Sequence, residues 1–225
     1  MTDGEIEIVD APQALKLLRA RIRARNGRTL IGIDGILGSG KAQFADELAE
    51  LLRESGITVI RLSMKDFMHP KEVRELLGDE DGLKWYMNSF NYQAFIDKVI
   101  EPLSNEGSGR YLEKYYDGDT DCDCPHKWSL APDNSVAIVD GLFLHRKIFF
   151  DENGKKFWDI SVWLEVPFDE AFRRLHESAG LDANPLAESN ERFYSGLLHY
   201  LEETDPAFKA DIVVDNALEF HDPID

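Results

Sequence analysis

No stretch of this 225-residue sequence approaches the roughly 20 consecutive apolar residues that a bilayer-spanning helix needs. Its opening, MTDGEIEIVD, lacks both the apolar core of a secretory signal and the basic character of a transit peptide. Positive charge is scarce: 25 Lys and Arg stand against 43 Asp and Glu, a formal net charge of −18. So acidic a surface repels nucleic-acid backbones and anionic membranes, and neither is expected as a partner. Any phosphate the chain binds must be held by local groups that overcome an unfavourable global field. Cysteine is nearly missing. Cys122 and Cys124 are the only two, and a separation of two residues is poor geometry for a disulfide. These absences point to a reducing, cytoplasmic setting. With His126 the same segment offers at most three metal-binding side chains and no second cluster, which argues against structural zinc. Repeats and low-complexity tracts are also lacking.

What is present is an ordinary globular composition, 43% hydrophobic and 30% charged, in a length that fits one domain with a sizeable core. Residues 12–26 read as a leading amphipathic helix with Leu15, Leu18 and Ile22 on one side and basic residues between them. The apolar run 29–34 (TLIGID) reads as a buried strand, and 42–55 as a helix with Phe44, Leu48, Leu51 and Leu52 on one face. Further strands are expected at 57–62, 136–140, 160–166 and 211–215, and helices at 90–103, 169–178 and 188–203. Residues 104–135 are polar, aromatic and irregular, the pattern of an insertion or flap. Short apolar strands alternating with helices predict an α/β fold, a five-stranded parallel sheet covered on both faces. Ligands of such sheets sit beyond the carboxyl ends of the strands. Asp34, Asp66, Asp140 and Asp215 all fall at or just past such ends.

The segment between the first strand and its helix is G-I-L-G-S-G-K, residues 35–41, which fits the G-x-x-x-x-G-K frame. Glycines at 35, 38 and 40 let backbone N–H groups converge on phosphate oxygens, and the next helix aims its positive end at the same place. Lys41 reaches the outer phosphates as a compact cation. The expected phosphate site comprises Gly35, Gly38, Ser39, Gly40, Lys41, Ala42 and Gln43. Ala42 is a departure, because Ser or Thr there would give Mg²⁺ a hydroxyl oxygen. Asp140, an acid ending a strand, is the candidate for holding Mg²⁺.

Several blocks recur in a recognisable order: GIDGILGSGKAQFA, SMKDFMHP (63–70), YMNSFNY (86–92), VDGLFL (139–144), RFYSGLLHY (192–200) and ADIVVDN (210–216). Together they resemble the uridine kinase-like branch of the phosphoribulokinase/uridine kinase family, over about residues 15–216. The resemblance implies a P-loop kinase fold that uses ATP and Mg²⁺ to phosphorylate a hydroxyl of a nucleoside or similar small molecule. It implies Asp66 as the proton acceptor, Arg173 or Arg174 closing over the phosphates, and Phe67, Tyr86, Asn91, Tyr92 and Arg192 in the acceptor site. The expected partner is that small molecule, with a homo-oligomer left open.

The departures from the pattern cluster on the chemistry. Lys65 stands where the first Asp of an Asp-Asp-Phe block belongs, Asn88 and Asn91 stand where Asp is common, and Leu197 replaces a common Gln. They favour an alternative reading, a nucleotide-binding protein with little turnover that acts as a sensor or partner. Tyr111, Tyr115, Tyr116 and Trp128 fit either a base pocket or packing within the flap. Asp79, Glu80 and Asp81, between Gly78 and Gly82, read most simply as a solvated turn.

Overall fold

The structure, a computed structural model, describes residues 8–217. The strands are β1 (Ile8–Asp10), β2 (Thr29–Gly35), β3 (Val59–Ser63), β4 (Arg110–Leu112), β5 (Trp128–Leu130), β6 (Val136–Asp140), β7 (Ile160–Glu165) and β8 (Ile212–Asp215). The helices are α1 (Ala11–Arg23), α2 (Lys41–Glu54), α3 (Lys71–Leu77), α4 (Gly82–Asn88), α5 (Tyr92–Phe95), α6 (Glu101–Leu103), α7 (Phe168–Ala179), α8 (Glu191–Thr204) and α9 (Pro206–Lys209).

Six strands form one parallel sheet in the order β1-β8-β7-β2-β6-β3. All seven residues of β2 are buried, as a central strand covered on both faces requires. The sheet has one strand more than the apolar runs suggested. That strand, β1, is only three residues long, too short for a periodic signal, and pairs Ile8–Asp10 with Val213–Asp215. Its last residue also starts α1: Asp10 is the N-cap and accepts from the Gln13 amide at 2.8 Å.

One face of the sheet is covered by α1 and α2. Leu18, Ile22, Phe44, Leu48 and Leu52 pack there on Ile31, Ile33, Val162 and Val214. The other face carries a larger, aromatic core of Phe67, Phe95, Phe143, Phe149, Trp158, Trp163 and Tyr200. Each such side chain contributes roughly 1.5–3 kcal/mol by leaving water.

The helix expected over 90–103 begins at α5, capped by the Asn91 side chain, widens into a π turn at Ile96–Ile100 and ends as α6. The 104–135 segment is more regular than its composition suggested, because β4 and β5 pair antiparallel within it. Arg28, 7% exposed, anchors its base by donating to the carbonyls of Ser104 (3.1 Å) and Gly107 and to Asp133 (3.3 Å).

The contact between α4 and α8 is unusually close. A Cβ on Gly82 would lie 2.9 Å from the Arg192 carbonyl oxygen, and one on Gly196 would lie 2.6 Å from the Gly82 carbonyl oxygen. Two glycines facing each other bring Trp85, Arg192 and Phe193 to the carboxyl end of the sheet.

Candidate active site

The loop between β2 and α2 needs its glycines. A Cβ on Gly35 would sit 2.4 Å from Ser39 Oγ, and one on Gly38, at φ +74°, would sit 2.2 Å from the Ala171 carbonyl oxygen of α7. Gly40, at φ +84°, is the N-cap of α2. The Asn216 amide donates to the Ser39 carbonyl at 2.8 Å, so the loop is clamped from the end of β8. Lys41 opens α2, with Nζ donating to the Ile36 carbonyl at 2.6 Å. Burial lowers its pKa to about 8, against the opposing pull of Asp34 and Asp140. An incoming phosphate would push that value back up.

Asp34, fully buried at the end of β2, accepts from the amides of Gly35 (2.8 Å), Phe143 (3.1 Å) and His145 (3.1 Å), from His145 Nδ1 (2.9 Å) and from the Tyr200 hydroxyl. Every oxygen lone pair is directed at structure. Its role is to fix the 141–145 turn beside the loop, and burial with the Asp34 charge holds the Tyr200 hydroxyl well above its ordinary pKa.

Between the loop and α4/α8 lies a cavity of about 330 Å³, lined by Lys41, Asp140, Lys65, Arg74, Asp79, Trp85, Phe90, Arg192 and Phe193 among others. Asp79, read as part of a solvated turn, faces this space. It lies 3.6 Å from Arg74 Nε and 3.9 Å from Arg192 Nη1, ion pairs too long to be hydrogen bonds. The remaining expected acceptor residues sit elsewhere. Phe67, Tyr86 and Tyr92 are buried in the aromatic core beneath the cavity, and Asn91 spends its side chain on the α5 cap. Arg192 alone of that group lines the cavity.

The same holds for Asp66. The 3₁₀ turn Met64–Phe67 advances about 120° per residue, so adjacent side chains diverge. Lys65 borders the cavity with its Nζ turned to Asp119 at 2.6 Å, while Asp66 pairs with Lys114 at 3.0 Å in a separate cleft formed with the β4–β5 segment. Burial raises the Asp66 pKa, with Lys114 opposing.

No protein-family model and no curated protein matches the sequence. Solved structures do. One described as a possible uridine kinase, from Bacillus stearothermophilus, is 25% identical with a TM-score of 0.69, over 91% of this chain and 98% of that one. The chain has the P-loop kinase fold. A candidate fructose transport system kinase from Silicibacter sp. (21% identity, TM-score 0.62, 89% and 98% covered) and D-glycerate 3-kinase from Cryptococcus neoformans (11%, 0.54, 92% and 95%) share the architecture.

In this kinase fold the two arginines of α7 differ in placement. Arg174 shares Glu170 with Arg173, pairing with it at 2.7 Å, but also donates to the Asn216 (2.9 Å) and Ala217 (3.0 Å) carbonyls and lies close beside Gly40 of the loop. Arg173 is paired with Glu170 (2.8 Å) and Glu177 (2.6 Å) of its own helix.

The residues present do not fit a Mg²⁺ ion at Asp140. That ion asks for an octahedron of oxygens at about 2.0–2.1 Å. Ala42 offers no side-chain oxygen, and the Gln43 amide donates to Glu47 at 3.1 Å on the exposed side of α2. Asp140 accepts from Arg61 Nη1 at 2.7 Å and from the Ser63 hydroxyl at 3.4 Å, so a guanidinium stands at the carboxylate where a metal was expected. Among the described residues no group of three or more His, Cys, Asp or Glu side chains could hold a metal. This includes the Cys122–His126 segment, where His126 stacks on Tyr115 and bonds its carbonyl at 3.2 Å. Tyr111, Tyr115, Tyr116 and Trp128 do not line the cavity.

Sequence reading passed over Arg61 and Arg74 and took Asp79 for part of a solvated turn. Arg61 had a signal: it is the one charge in the apolar run ITVIRL. Arg74 and Asp79 had none, since a charged residue on a short polar helix or in the turn after it looks the same whether it faces solvent or a cavity.

Proposed function

We propose that the protein binds ATP at residues 35–41 and transfers its terminal phosphoryl group to a hydroxyl of a nucleoside-sized small molecule in the adjoining cavity. The observation that supports this most is that the cavity opens directly on Lys41, placing an acceptor beside the loop that holds the donor phosphate. Its volume lies in the range of small-molecule sites. The relative described as a possible uridine kinase agrees with it. In the transfer, the acceptor oxygen bonds to the γ-phosphorus as the bond to the β–γ bridging oxygen breaks, and ADP leaves. Such transfer depends on positioning and charge stabilisation. The loop amides and Lys41 hold the phosphates, with Arg174 beside them. Asp79, loosely held, orients the acceptor hydroxyl and takes its proton. Trp85, Phe90 and Phe193 provide apolar walls for a ring. We assign this role to Asp79 rather than Asp66 because Asp66 faces the other cleft.

The experiment is a panel of nucleosides, sugars and vitamin alcohols incubated with labelled ATP, with product phosphate followed by chromatography. Transfer to one acceptor supports the reading, and its loss in Lys41→Ala ties it to this loop. A second reading, nucleotide binding without turnover, draws on Lys65, a cation where a proton acceptor was expected. It gains if ATP binds and no acceptor is labelled.

A further inference from the structure

Arg61 interrupts an otherwise apolar strand. In β3, Val59, Arg61 and Ser63 alternate onto one face, the face that α2 covers, and the register sets Ser63 beside Asp140. The guanidinium is fixed there from four sides. Nε pairs with Asp46 at 2.8 Å, Nη1 with Asp140 at 2.7 Å and the Leu62 carbonyl at 2.6 Å, and Nη2 with the Ala42 carbonyl at 3.3 Å. Its side chain is 19% exposed, and that of Asp140 is 11% exposed. Two features of the expected metal seat therefore run in one direction. Ala42 removes an oxygen, and Arg61 adds a permanent positive charge.

We infer that Arg61 supplies the positive charge a divalent ion would otherwise bring, so that this site binds a nucleoside triphosphate without metal. The inference rests on nucleotide binding at residues 35–41. A strand-end carboxylate near phosphate oxygens repels them unless a cation stands between. Here the cation is covalently part of the chain. Asp140 is already paired with a guanidinium, and Asp46 keeps that guanidinium in place. An added Mg²⁺ would meet a carboxylate whose Oδ1 Arg61 already holds at 2.7 Å.

The test is calorimetric titration of the full chain with ATP, once in excess EDTA and once in millimolar Mg²⁺, with a thermal melt of every protein used. The expected result is a wild-type Kd that changes by less than about threefold between the two conditions. Arg61→Gln leaves Asp140 facing the phosphates uncompensated, so its affinity in EDTA should fall about tenfold or more. Mg²⁺ should restore much of that loss, and more in the Ala42→Thr/Arg61→Gln double variant. Arg61→Lys, which keeps the charge, should resemble wild type. A wild-type affinity at least about tenfold weaker in EDTA would overturn the inference while leaving the loop assignment standing. A folded wild type that binds ATP in neither condition would overturn both. The wild-type comparison alone decides if Arg61→Gln fails to fold.

Discussion

Gly38 and Gly56 share a backbone conformation and differ in surroundings, which makes them a controlled pair. Both have positive φ, +74° and +79°. Alanine at either position carries the left-handed penalty of about 1–2 kcal/mol. Nothing lies within 4 Å of a Cβ built on Gly56, so Gly56→Ala should stop there. A Cβ on Gly38 meets the Ala171 carbonyl oxygen at 2.2 Å and its carbon at 2.9 Å. These are backbone atoms of α7, which cannot rotate away, so the loop or the helix must shift by most of an ångström. Overpacking of this kind adds about 1–3 kcal/mol, giving about 2–5 kcal/mol for Gly38→Ala. In a chain of this size each kcal/mol moves Tm by roughly 2–4 °C. Urea and thermal melts of the two variants should differ by about 1–3 kcal/mol, and only Gly38→Ala should weaken ATP binding in calorimetry. Equal losses in both variants would show that α7 does not press on the loop, and the clamped-loop account of the site would be wrong.

Lys41→Ala should weaken ATP binding by about tenfold to a hundredfold, the worth of one charge-assisted contact to phosphate, as read by calorimetry. Asp79→Asn should lower kcat for the best acceptor by about 10²-fold or more with ATP affinity unchanged, while Asp66→Asn should leave turnover near wild type; single-turnover assays decide between the two acids, and the reverse pattern would return the role to Asp66. Glu170 has its pKa depressed to about 2, mainly by Arg173 and then by Arg174. A depressed carboxylate stabilises the fold above its unfolded value of 4.5 and loses that contribution as pH falls toward 2. Melts of Glu170→Gln should therefore differ from wild type at pH 7 and converge on it near pH 2.

The glycine-rich turn between β2 and α2 was legible because its requirements are local: positive φ at Gly38 and Gly40, a strand before and a helix after. The parallel sheet was legible for a related reason, since β2, β6, β7 and β8 are apolar runs with little competing pattern. The acceptor side was not. Tyr86, Tyr92 and Phe67 carry the same sequence signal whether an aromatic ring lines a pocket or fills a core, and here they fill the core. Lys65 and Asp66 are neighbours in sequence, and only the phase of a single 3₁₀ turn decides which one faces the cavity. The partnership of Arg61 with Asp140 spans 79 positions and depends on strand register, which no local pattern states.

The glycine-to-glycine crossing of α4 and α8 bears on how this protein could change what it accepts. Backbone atoms pressed this close have no rotamers, so at the Gly82 and Arg192 carbonyls the two helices cannot adjust their spacing by rearranging side chains, and the cavity walls that they carry move together. The cavity's span is set by the crossing, and its free volume by the rings of Trp85, Phe90 and Phe193. A bulkier acceptor would therefore be admitted by trimming one of those rings, a single-residue change that leaves the phosphate loop, its clamp and the sheet untouched.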